Sequence, residues 1–106
     1  MSRKEQLLKF LEHNPHDSFV KFALALEHIS ADDDDTALDY FKDILQQDPD
    51  YTGTYYHLGK LYQRKNERSL AEQTFQEGLR RTAVKEPHAY SELQHALNEL
   101  NEDADL

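Results

Sequence analysis

Apolar residues recur at three- and four-residue spacing along most of this chain, in blocks separated by short polar stretches. Leu7, Leu8, Phe10 and Leu11 form the first block, closed by Asn14 and Pro15. Phe19, Phe22, Leu24, Ala25, Leu26 and Ile29 form a second, apolar around much of its circumference, and the polar run Ser30 to Asp35 follows it. Ala37, Leu38, Phe41, Ile44 and Leu45 then mark one face of a third helix. Asp48, Pro49 and Asp50 end it, because proline cannot continue a helix and biases the residue before it out of helical geometry. Tyr55, Leu58, Gly59 and Tyr62 define the next face and Gln63 to Asn66 turn the chain; Leu70, Ala71, Phe75 and Leu79 define another. Tyr90, Leu93, Leu97 and Leu100 give a last stripe. The pattern predicts about six helices arranged as antiparallel hairpins.

The blocks repeat. Leu24 and Leu58, Ala25 and Gly59, Ala37 and Ala71, and Phe41 and Phe75 are all 34 residues apart. Four coincidences at one period point to an internal repeat, the signature of a solenoid. The small residues have a packing reason: Ala25 and Gly59 fall where two helices of a hairpin approach closely, opposite Ala37 and Ala71. Aromatics fill the space where the helices diverge. Glycine inside a helix costs about 1 kcal/mol against alanine, so Gly59 requires such a reason.

This pattern resembles the tetratricopeptide repeat family. The second repeat reads Tyr55-x-x-Leu58-Gly59-x-x-Tyr62, then Ala71-x-x-x-Phe75 and Gly78, with Ala83 replacing the closing proline. The first reads Leu24-Ala25, Ala37-x-x-x-Phe41 and Pro49, departing at Lys21 and His28, where aromatics belong. The resemblance implies an all-α, right-handed α-solenoid of antiparallel helix hairpins: two full repeats with flanking half-repeat or capping helices. The expected layout is one domain over 1–106, with an N-terminal half-repeat helix at 3–14, repeats at 18–51 and 52–85, a capping helix at 86–101 and an acidic tail at 102–106. Pro15 and Pro49 are again 34 apart, so the first helix matches the second helix of a repeat. The last helix fits the first helix of a repeat with a 35-residue step, which would bury Tyr90, Leu93 and Leu97. A 34-residue step would instead place Leu93 and Ala96 on Gly59 and Tyr62.

Composition narrows the function. The chain has 106 residues, no cysteine, three glycines, three prolines and a formal charge of −9. A single domain with few turn formers fits helices with short connections. The acidic balance argues against nucleic acid or an anionic membrane as partner. No apolar run spans a bilayer, and no secretory apolar region follows Met1, so the expectation is a soluble cytoplasmic protein. Charge is uneven: 18–51 carries −7, largely from Asp32 to Asp35, Asp39, Asp43, Asp48 and Asp50, whereas 52–85 carries +4. Most of this charge reads as a solvated surface with carboxylates at helix starts, Asp34 and Asp35 among them. The asymmetry also suits head-to-tail contact between copies.

Candidate chemistry is sparse. Six histidines are present, but none sits in an HExxH motif or an i,i+4 histidine pair, and the Asp32–Asp35 run lacks the spacing of a calcium loop. No metal or cofactor is expected. There is no phosphate loop, no nucleophile elbow and no serine beside an obvious base, so no enzyme is expected. The resemblance instead implies an inner surface built from the first helix of each repeat. Carried over, it offers Phe19, Phe22, Leu26, Ile29 and Ser30 from the first repeat, and Gly53, Tyr56, Lys60, Gln63 and Arg64 from the second. The last helix adds His88, Ser91, His95 and Asn98, or Tyr90, Gln94 and Leu97 in the other register. Phe22 and Leu26 stand where a carboxylate clamp would have lysine and asparagine, which argues against that clamp. Phe19, Phe22 and Leu26 share a face that the hairpin does not obviously need, unless the first helix covers it. The expected function is a non-enzymatic protein-interaction module that binds another protein or peptide, with Phe19, Phe22, Leu26 and Tyr56 as apolar anchors and Lys60, Gln63 and Arg64 as polar contacts. The alternative is a homo-oligomer formed through that groove or an end helix.

Overall fold

The computed structural model describes residues 1–104, and these form six helices with no strand among them. They are α1 (Arg3–His13), α2 (Ser18–Ser30), α3 (Asp34–Gln47), α4 (Gly53–Arg64), α5 (Arg68–Thr82) and α6 (Pro87–Ala104). The chain is an all-α helical-repeat solenoid that divides into two compact units, Met1–Tyr51 and a second beginning at Thr52. The last helix was expected to end at 101; it runs to Ala104, and the rest of the expected acidic tail, 105–106, lies outside the described residues.

In the first unit each helix starts on a side-chain cap. Ser2 Oγ accepts from the Glu5 amide at 3.1 Å, Asp17 from the Val20 amide at 3.1 Å and Asp33 from the Thr36 amide at 3.2 Å. Each satisfies a backbone donor that the helix itself leaves unpaired. The cap of α3 is Asp33; Asp34 and Asp35 occupy its first turn, where they oppose the helix dipole. The α2–α3 turn passes through Asp32 at φ 59°, and the Asp33 amide donates to His28 O at 2.8 Å. The hairpin core is fully buried: Leu24, Ala25, Ala37, Phe41 and Ile44.

Lys21 also belongs to that interior, at 4% exposure. Its ammonium reaches out of the apolar layer to Asp43 Oδ2 at 2.6 Å and Gln47 Oε1 at 3.0 Å, both on α3. A buried charge persists only when paired, and here two acceptors on the facing helix hold it. His28 is buried as well; its Nδ1 lies 3.1 Å from Asp33 Oδ2 and its ring packs on Tyr40 at 5.8 Å. The two departures from the repeat pattern are thus polar side chains, each tied to a carboxylate on or next to α3.

In the second unit the aromatic pattern is intact and glycine makes room for it. A Cβ at Gly59 would run into the Phe75 ring. One at Gly78 would lie 2.7 Å from Tyr55 Cβ and 2.9 Å from Leu93 Cδ1, so α5 is pressed between α4 and α6 at that point. The α4–α5 turn repeats the first unit's geometry 34 residues on: Asn66 has φ 61°, and the Glu67 amide donates to Tyr62 O at 2.9 Å. Asp and Asn are among the few non-glycine residues that adopt this left-handed conformation readily. Glu67, however, makes no side-chain cap on α5.

On α6 the buried residues are Leu93, Ala96, Leu97 and Leu100. Leu93, Ala96 and Leu97 follow Leu58, Leu61 and Tyr62 by 35 residues. Tyr90 departs from the expectation of burial and is 37% exposed. Its counterpart Tyr55 is covered by the glycine-lined face of α5, whereas no helix among the described residues follows α6 to cover Tyr90.

Candidate partner-binding faces

The predicted contact residues fall on the first helix of each hairpin, and each unit has its own face. On α2, Phe19 is 65% exposed, and Phe22 and Leu26 are half-buried. Phe22 is not surplus to its hairpin, as the sequence had suggested. Its ring packs on Phe41 at 6.0 Å and on Tyr51 at 5.7 Å, both tilted contacts. The spacing put Phe22 on one face with Phe19 and Leu26, and gave no sign that Tyr51, beyond the Pro49 break, would fold back onto it.

The first helix, which the sequence left open as a cover for this face, covers it only in part. Helix α1 lies against α2 but buries none of its own residues completely. Phe10, Phe19, Leu7 and Val20 line an apolar hollow of ≈ 280 Å³, with Arg3, Gln6 and Asp17 on its rim.

On α4, Tyr56, Lys60 and Gln63 follow at i, i+4 and i+7 and are all half-buried on one face; Arg64 beside them is exposed. The Lys60 ammonium sits 5.7 Å above the Tyr56 ring and 3.4 Å from Glu99 Oε2 on α6. Cation and ring attract each other, and the single long contact to the carboxylate leaves the ammonium loosely held. Gln63 Oε1 is turned inward and accepts no hydrogen bond. His57, which the sequence did not single out, is edge-on to Tyr56 at 5.6 Å. Burial lowers its pKa, with the Arg64 charge acting the same way and Glu92 opposing. The influence of Glu92, on α6, could not be read from the spacing of a lone histidine.

On α6, His88 and His95 each pair with the carboxylate four residues on, Glu92 at 3.0 Å and Glu99 at 2.9 Å. No group of three or more His, Cys, Asp or Glu side chains suited to a metal ion occurs among the described residues. No helix among them is long and apolar enough to cross a membrane.

The comparison with known families decides what these hairpins are. The tetratricopeptide repeat model matches residues 28–97, which is most of the chain. The chain belongs to the tetratricopeptide repeat family. It is similar to a tetratricopeptide repeat domain protein from Salinibacter ruber whose crystal structure is known, with 40% identity over 80% of this chain and 96% of that one, and a TM-score of 0.77. A Bordetella parapertussis protein solved in solution shares 25% identity over 97% of this chain and 90% of that one, with a TM-score of 0.82. The type III secretion translocator chaperone SycD of Yersinia enterocolitica has the same fold, with a TM-score of 0.89 over 97% of this chain and 72% of that one, at 13% identity. Among curated proteins, none matches the chain significantly. Tetratricopeptide repeats generally mediate contact between proteins and are generally not enzymes.

Proposed function

We propose that this protein is a non-enzymatic interaction module that holds a segment of another protein against the exposed face of its first-type helices, with the strongest contacts on α4. The observation that carries this reading is the Tyr56–Lys60–Gln63 strip: an aromatic ring, a cation above it at 5.7 Å and an amide, one helical step apart and half-accessible. A ring and a cation on one ridge suit an extended segment that brings a carboxylate and an apolar side chain. Glu99 occupies the ammonium at 3.4 Å, and a partner carboxylate would compete with it for Lys60. Arg64 adds positive charge at the C-terminal end of the strip. In the first unit, Leu26 and the outer edge of Phe22 offer apolar contact, with Phe22 anchored from beneath by Phe41 and Tyr51. The Yersinia chaperone and the peptide-binding site named for the protein YrrB agree with this reading of the fold.

The test is selection from a displayed random-peptide library, followed by direct titration of the selected peptides. Acid-containing peptides are expected, and Tyr56→Ala combined with Lys60→Ala is expected to weaken them at least tenfold. Glu99→Gln should tighten them, because it removes the internal competitor. Selected peptides that bind the double variant as well as the unaltered protein would refute the assignment.

A further inference from the structure

Among the described residues, no helix precedes α1 in the place that its position in the repeat would give one. With Pro15 aligned on Pro49, Leu7 and Phe10 occupy the positions of Phe41 and Ile44 in α3, and Leu7 that of Phe75 in α5. Phe41, Ile44 and Phe75 are fully buried in their hairpins. In α1 no residue is buried, and Phe10 is 52% exposed. The hollow of ≈ 280 Å³ bounded by Leu7, Phe10, Phe19 and Val20 lies where the preceding helix of a repeat would rest. Two of the side chains that line it are exposed aromatic rings, Phe10 at 52% and Phe19 at 65%. Leu70, Val84 and Tyr90 of the second unit lie on separate elements. Clustered apolar exposure of this kind marks a contact surface.

We propose that a second copy of this chain covers the hollow, the two α1 helices packing antiparallel about a two-fold axis. The patch carries both halves of a self-complementary contact. Phe10 and Phe19 project from it, and the hollow beside them has room for a phenyl ring from the other copy. Isologous interfaces require such self-complementarity. The charges agree. Arg3 stands at one end of the hollow, beside Glu27 at 2.9 Å, and Asp17 stands on its rim just beyond the opposite end of α1. An antiparallel two-fold brings the Arg3 end of each copy to the Asp17 end of the other. Head-to-tail completion by α6 fits less well. Gln94 occupies the position that Ala25 and Gly59 keep small for close approach, and Ser91, Glu92, His95 and Asn98 make its open face polar. A contact built on one helix of about 16 Å is small. The dimer is therefore a reversible one, with a dissociation constant of the order of micromolar.

The contact does not depend on the peptide-binding strip of α4, and separate variants test the two. Sedimentation equilibrium from about 5 µM to about 1 mM should show the unaltered protein passing from monomer to dimer. Phe10→Glu and Phe19→Glu should each keep it monomeric throughout, with helix content by circular dichroism unchanged, since neither side chain is buried. Arg3→Gln and Asp17→Asn should each weaken association several-fold, and together by little more than either alone, because either one already removes both symmetry-related pairs; asparagine retains the cap of α2. A monomer at every concentration would overturn the proposal, as would a dimer indifferent to both phenylalanine substitutions. Loss of dimerisation with peptide selection intact would support this contact irrespective of the α4 strip.

Discussion

The two hairpins α2–α3 and α4–α5 are the same structure solved with different chemistry. Position for position, Leu24, Ala37 and Phe41 answer to Leu58, Ala71 and Phe75, and all are buried. The difference lies at two coupled pairs. The second hairpin sets Tyr55 against Gly78, so a large ring on one helix meets no side chain on the other. The first sets Lys21 against Ile44: the large apolar group moves to α3, and the α2 position becomes a stem whose charge escapes to Asp43 and Gln47. The large apolar group changes helix between the two pairs, and in the first hairpin the charged end of Lys21 leaves the close-packed layer instead of filling it. The two arrangements come with different liabilities. Glycine packing is brittle to any added atom, and a buried ammonium depends on its counter-charge.

These liabilities can be broken separately. The largest effect is expected at Gly59, where alanine should cost about 3 kcal/mol in chemical denaturation because the new methyl meets the Phe75 ring. The matching change in the other hairpin, Ala25→Gly, should cost only about 1 kcal/mol, through backbone entropy. Equal costs at the two sites would show that the hairpins do not differ in how closely their helices approach.

Next comes the ion pair. Asp43→Ala leaves the Lys21 ammonium with Gln47 as its remaining acceptor and should cost about 2 kcal/mol, below the full penalty of a buried pair because Asp43 is half-exposed. Lys21→Met should be close to neutral, since it removes the charge and retains the stem. A stability loss on Lys21→Met as large as that on Asp43→Ala would mean that the pair itself, and not the stranded charge, matters.

Helix starts should separate the hairpins by less. Glu67→Asp gives α5 the cap that Asp33 gives α3, and should add about 0.5–1 kcal/mol. Asp33→Ala should lower Tm in the other hairpin. The Asp33 carboxyl is held below its ordinary pKa first by its hydrogen bond with Thr36 and further by His28. Its contribution is therefore complete above the ordinary aspartate range and is lost as the pH falls through that range and below. Unfolding followed from pH 7 to acid should show that loss in the unaltered protein, and less of it in the alanine variant.

The smallest effect concerns His57. Burial lowers its pKa in the folded state, so the unfolded chain takes up a proton first as the pH falls below the ordinary histidine value. Stability should decline slightly with falling pH in that window, and His57→Gln should flatten the decline. An unchanged profile in the His57→Gln variant would remove His57 as the cause.

Much of this architecture was legible in the sequence. The 34-residue coincidences and the three- and four-residue spacing determined six helices, their pairing into hairpins and the core residues Leu24, Phe41, Leu58 and Phe75, because periodicity reports which face of a helix must leave water. Small residues at Ala25 and Gly59 announced close approach, since only a missing side chain allows it. Tertiary structure decided what depends on a neighbour from elsewhere in the chain. Tyr51 folds back on Phe22, Asp43 and Gln47 collect the Lys21 ammonium, and Glu99 reaches Lys60. Tyr90 and Phe10 stay open to solvent, although their patterns match buried counterparts. A helix records in its own residues that a face wants covering; whether anything covers it is a property of the packed molecule.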